Sequence, residues 1–109
     1  KERTKTFSHR CLDVAEALPK GISAEILGRQ LGRSGTSVGA NYRAACRSRS
    51  KAEFIAKLGT VEEEADECGF WLDLINERKL LPHAKLVALL QEASELTAIM
   101  VASKKTARS

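Results

Sequence analysis

Residues 50–79 read S-K-A-E-F-I-A-K-L-G-T-V-E-E-E-A-D-E-C-G-F-W-L-D-L-I-N-E-R-K. Within them Phe54, Leu58, Val61, Ala65, Cys68, Leu72 and Ile75 recur at alternating spacings of four and three, the seam of one long amphipathic helix. Such a helix runs roughly 43 Å at about 1.5 Å per residue, too long to be held by propensity alone, so it requires partner helices along its length. Ser50 and Glu53 have the S-x-x-E spacing of a capping box, which marks its start.

Working outward, Phe7, Cys11, Val14 and Leu18 repeat the pattern in a short first helix that Pro19 and Gly21 end. Ser23 is placed to cap a second helix whose apolar positions Ile26, Leu27, Leu31, Val38 and Tyr42 reach Ala45. Its middle holds Gly28, Gly32, Gly35 and Gly39. Each costs about 1 kcal/mol relative to Ala inside a helix, so the helix either breaks there or uses small residues for close helix approach. Downstream, Pro82 suits the start of a fourth helix carrying Leu86, Leu89, Ala93, Leu96 and Met100. Residues 1–5 and 104–109 are expected to fray. No strand pattern interrupts these segments, and the links 46–49 and 80–83 are short enough to force antiparallel neighbours. The expected fold is an all-α, antiparallel up-down four-helix bundle, a single domain over residues 1–109.

The totals narrow the function classes. A chain of 109 residues that is 43% hydrophobic and 29% charged supports one core. Its net charge of +4 makes polyanions plausible partners. Three cysteines, Cys11, Cys46 and Cys68, fit neither a disulfide framework nor a C-x-x-C spacing, and agree with reduced thiols in a cytoplasm. No apolar run approaches about 18 residues and no signal-peptide core opens the chain, so neither membrane insertion nor export is expected.

Charge is segregated along the chain: residues 28–58 carry +6 and residues 59–77 carry −7. The basic block supplies Arg29, Arg33, Arg43, Arg47, Arg49 and Lys51, with two pairs at i, i+4 that share a helix face and could track phosphates. These six are the candidate nucleic-acid contacts. In the acidic block Glu63 and Glu67 stand one turn apart, but His9 and His83 have no Glu-x-x-His spacing, so a di-metal site is not expected and no cofactor is implied. Ile55, Phe70, Trp71 and Leu74 form a second apolar stripe beside the seam, wider than one bundle buries, and are the candidate oligomer interface. Cys46 lies in the basic connector without a partner base, so it gives no catalytic signature.

The run R-Q-L-G-R-S-G-T-S-V-G-A-N-Y-R-A-A-C-R-S-R-S-K-A-E-F-I-A-K-L, followed by the acidic helix, resembles the 23S rRNA intervening-sequence four-helix-bundle proteins. The resemblance rests on Gln30, Leu31, Arg33, Ser37, Val38, Ala40, Asn41, Arg49, Ser50, Glu53, Phe54, Leu58 and Glu67. It departs at Ala44 and Ala45, where the family usually has Glu-Gly, and at Glu63 and Glu64, where it usually has Gly-Ser. The resemblance implies a bacterial, ring-shaped homopentamer. It also implies a distant likeness to the accessory variability proteins of diversity-generating retroelements, which bind nucleic acid and a reverse transcriptase.

The expectation is a non-enzymatic, homo-oligomeric bundle that binds RNA or DNA through its basic surface. Two alternatives stand beside it. One is a protein-interaction scaffold whose partner is a second chain such as a reverse transcriptase. The other is a helix-turn-helix DNA binder, with Gly32 at the turn and residues 36–43 as the recognition helix, against which the length of the third helix argues.

Overall fold

The central helix keeps its seam out of water. In the computed structural model, which describes residues 2–109, Leu58, Val61, Ala65, Cys68, Leu72 and Ile75 are fully buried, while Phe54 is half-buried. They lie on α3 (Lys51–Glu77), which follows α1 (Glu2–Ala17) and α2 (Ile22–Cys46) and precedes a 3-10 turn (His83–Lys85) and α4 (Val87–Arg108). Phe7 and Cys11 from α1, Leu27, Leu31 and Val38 from α2, and Leu89, Leu96 and Met100 from α4 complete one core. The chain forms the expected antiparallel bundle, in which α3 packs along both α2 and α4 and α1 packs chiefly on α2.

The glycines of α2 resolve in favour of close approach. The helix is unbroken from Ile22 to Cys46, so the turn that a helix-turn-helix needs at Gly32 does not exist. A Cβ on Gly35 would stand 2.4 Å from Cβ of Cys11, and one on Gly39 would stand 2.5 Å from Oγ of Ser8. Helix α1 thus rests almost backbone to backbone on α2. The Ser8 hydroxyl reinforces the contact by donating to the carbonyl of Gly35 at 2.7 Å.

A polar pin joins α2 to α3. Ser34 is fully buried, and its hydroxyl donates to Glu67 Oε1 at 3.0 Å. Trp71 Nε1 donates to Ser34 Oγ at 3.2 Å, and Arg33 pairs with both Glu67 and Glu64. Burial pushes the Glu67 carboxyl up, but hydrogen bonds from Ser34 and Trp71 and the Arg33 charge outweigh it, leaving the pKa below the usual carboxylate range. A second polar tie closes α1 onto α4: Arg3 bridges Glu92 and Glu95, each at 2.8 Å.

Element ends depart from the expectation. Residues 2–5 do not fray, because Thr4 is buried and Arg3 is bridged to α4, while Lys1 lies outside the described residues. Residues 104–108 continue α4, held where Lys104 Nζ lies 2.5 Å from Glu62 Oε1. Gly21, not Ser23, precedes α2, since the chain turns there at φ +141°, which disfavours any side chain. Pro82 opens the 3-10 turn, and α4 starts at Val87. Ser50 does cap α3, accepting from the Glu53 N–H at 3.1 Å. At the other end Lys79 takes the left-handed conformation, and Leu80 N–H returns to the Ile75 carbonyl in a Schellman-type stop.

Two outcomes are expected in thermal unfolding. Gly35→Ala should destabilise by about 1–2 kcal/mol because Cys11 cannot yield its Cβ position, whereas Gly59→Ala, which meets only Lys104 Nζ at 3.9 Å, should stabilise by up to about 1 kcal/mol. Because Glu67 is depressed, its contribution is present above the ordinary Glu pKa and is lost as pH falls through the lowered value. Glu67→Gln should therefore cost about 1 kcal/mol near pH 7 and flatten the acid limb of a stability–pH profile below about pH 4.5.

Candidate nucleic-acid interface

The six basic candidates separate into two groups. Arg29 is exposed and pairs with Glu25, one turn before it, at 2.9 Å. Arg33 is engaged by Glu64 and Glu67 in the pin between α2 and α3. Arg43, Arg47, Arg49 and Lys51 are exposed and make no ion pair among the described residues. They converge because α2 ends where α3 begins: Arg43 and Arg47 stand one turn apart at the α2 C-terminus, and Arg49 and Lys51 follow in the turn. Cations at a helix C-terminus also offset the partial negative charge of its unpaired carbonyls.

Lys5 of α1 joins this end, a residue the sequence pattern missed. It lines a shallow depression of about 150 Å³ together with Glu2, Thr4, Gly39, Arg43 and Arg47. Antiparallel pairing of α1 on α2 brings the two together, although they are far apart in sequence. The aromatics Tyr42 and Phe54 at this end are half-buried against the core, and burial, with Cys46 beside it, raises the Tyr42 phenol pKa. The end of the bundle is therefore an array of point charges rather than a stacking platform.

The candidate interface stripe is less uniform than its spacing implied. Phe70 stands 54% exposed. Trp71 is half-buried, turns its indole N–H into the Ser34–Glu67 pin and meets Phe70 edge-on at 5.0 Å. Leu74 packs on the core, and Ile55 is half-buried. Larger apolar exposure lies on α2, where Ile22 is 80% and Ile26 54% exposed. Ile26 belongs by sequence to the apolar positions of the second helix. The structure places it on the outward line of Ile22, Ile26, Arg29 and Arg33, opposite the buried line of Ala24, Leu27, Leu31 and Ser34.

Other chemistry is sparse. Among the described residues no group of three His, Cys, Asp or Glu side chains is placed to hold a metal ion. His83 Nδ1 lies 3.1 Å from Asn76 Oδ1, and Cys46 is an exposed thiol. Cys11 and Cys68 are buried, and the neighbouring Cys11 thiol together with burial raises the Cys68 pKa, holding it as a thiol. No described helix is long and apolar enough to cross a membrane.

Comparison with known proteins gives the setting. No curated protein matches the chain. Among solved structures it is similar to a protein of unknown function from the S23 ribosomal protein family of Bacteroides thetaiotaomicron, with 27% identity and a TM-score of 0.88 over 95% of this chain and 96% of that one. Residues 1–102 match the 23S rRNA-intervening sequence protein family. The bundle is thus shared over nearly the whole chain with a solved relative, and the protein belongs to the 23S rRNA-intervening sequence protein family.

Proposed function

We propose that this protein is a non-enzymatic, self-associating bundle that holds nucleic acid by its phosphate backbone through Arg43, Arg47, Arg49, Lys51 and Lys5. The observation that carries the reading is the gathering of these cations at one end of the bundle, where they outnumber the neighbouring Glu2 and Glu53 and make no ion pair among the described residues, while the cations midway along α2 are neutralised inside the chain. Unpaired, exposed cations attract phosphates and release condensed counterions on binding. Without aromatic platforms or a helix presenting base-reading side chains, such contacts position a strand and carry little base selectivity. A family named for an intervening sequence of 23S rRNA agrees with a nucleic-acid setting. Self-association would repeat the basic end and raise its avidity.

The test is a salt series of binding to short single-stranded and duplex RNA and DNA. The parent chain should bind all of them, with log affinity falling by about 0.7 per neutralised phosphate on single strands for each unit of log salt. Arg43→Glu with Arg47→Glu should lower affinity at least about tenfold and reduce that slope by about 1 to 2, whereas Arg29→Glu should change little. Absence of binding at low salt, or equal binding by the double variant, contradicts the reading.

A further inference from the structure

We propose that the depression between α1 and α2 at the basic end is a seat for the terminal phosphate of a nucleic-acid strand, a phosphomonoester, held by Lys5, Arg43 and Arg47. This rests on the phosphate-backbone reading above and names the class of strand that the same end prefers.

The depression has a volume of about 150 Å³, and its lining carries three cations to one acid, Glu2. Thr4, which is buried, and Gly39, which is half-buried, make up the rest. At roughly 30 Å³ per water molecule this is the space of about five waters, enough for the heavy atoms of a phosphate group and too little for a sugar and base besides. Lys5 stands on one wall, and Arg43 and Arg47, one turn apart, stand on the other. None of the three makes an ion pair among the described residues. The walls are also fixed relative to each other. The Ser8 hydroxyl donates to the Gly35 carbonyl at 2.7 Å, and a Cβ on Gly39 would stand 2.5 Å from Ser8 Oγ and 3.5 Å from the Thr4 carbonyl oxygen. The backbone positions of the cations are therefore set before a ligand arrives, which lowers the cost of ordering them.

Diester and monoester phosphates present different faces to such a seat. A diester inside a strand offers a single negative charge, and the nucleosides on both sides of it keep it at the rim. A phosphate at a strand end has a nucleoside on one side only, exposes three oxygens and carries about −1.5 to −2 charge near pH 7. An ammonium and two guanidinium groups on facing walls can donate to those oxygens together, in charge-assisted hydrogen bonds. Three cations against Glu2 leave the lining with a net charge of +2, which a dianionic end neutralises and a diester compensates only by half. Arg49 and Lys51, exposed just after Arg47, lie outside the depression and take the diesters that lead away from the seated end. With Tyr42 and Fhe54 half-buried, no aromatic platform competes to place the strand by its last base.

Binding of the full chain to one short single-stranded RNA, prepared with a 5′-phosphate, with a 3′-phosphate or with hydroxyls at both ends, tests this. Each is measured by competition against a labelled hydroxyl-ended strand at low salt. A phosphate-ended strand should bind about tenfold more tightly than the hydroxyl-ended one, and the better of the two phosphate-ended strands identifies which end is seated. Its log affinity should also fall more steeply with log salt, by about 0.7 for the one further phosphate neutralised. Lys5→Ala and Arg43→Ala, both at exposed positions, should keep the helical circular-dichroism spectrum and bring the ratio of affinities close to one. Lys5→Arg, which keeps the charge, should restore most of the ratio. Lys51→Ala should weaken all three strands alike and leave the tenfold ratio in place. Equal binding of the three strands by the parent chain, or a ratio that survives both Lys5→Ala and Arg43→Ala, overturns the seat while leaving backbone binding standing. Absence of binding by every strand removes the seat and the backbone reading together.

Discussion

The burial of one face of α3 is the constraint on which the rest of the structure depends. Its six fully buried seam residues give a stripe that no isolated helix keeps in water, so α2 and α4 must lie along it for its full length. Short links then fix both as antiparallel neighbours. Helix α1 is shorter and offers fewer large side chains, and it gains its place differently. It approaches α2 at the glycine positions so closely that Cys11 and Ser8 occupy the space where side chains would stand. This replaces side-chain interdigitation by backbone proximity, and it makes the glycines of α2 a requirement of packing rather than a weakness of the helix.

The same packing decides which charges remain available. Opposite charges in the α2 and α3 segments could have cancelled along their whole length, but among the described residues Arg33 alone of the α2 cations pairs with α3, reaching Glu64 and Glu67. That contact carries Ser34 and Trp71 with it and sets the register of the two helices. Beyond it, the cations of α2 run out past the acidic block of α3, which starts at Glu62, and meet only Glu53 in the first turn of that helix. The separation of sign seen in the sequence becomes a basic end and an acidic flank, and the proposed nucleic-acid surface uses the basic end.

Much of this was legible in the sequence. The four-three seam of α3 and the Ser50 cap appear in the structure as read, because burial on a long helix leaves a periodic trace and capping uses one local side chain. Three kinds of feature were not legible. The role of Gly35 and Gly39 depends on what faces them, and the same composition serves a break or a contact. Ile26 sits beside Leu27 in sequence, and only the full buried line of α2 shows that it points away from the core. The ordered ends rest on partners distant in sequence, Glu92 for Arg3 and Glu62 for Lys104. Of the candidate site, the sequence named the Arg and Lys residues but not which were neutralised, and Lys5 left no local signal at all.

The central claim is that phosphate contacts concentrate where α1, α2 and α3 meet at the basic end. Backbone-amide NMR of the full chain, titrated with a short single-stranded RNA at low salt, tests it most directly. The account predicts shift changes confined to residues near Lys5 and to 43–51, reversed by added salt, with the acidic face of α3 unmoved. Changes centred on the groove between α3 and α4, or spread evenly over the bundle, would contradict it.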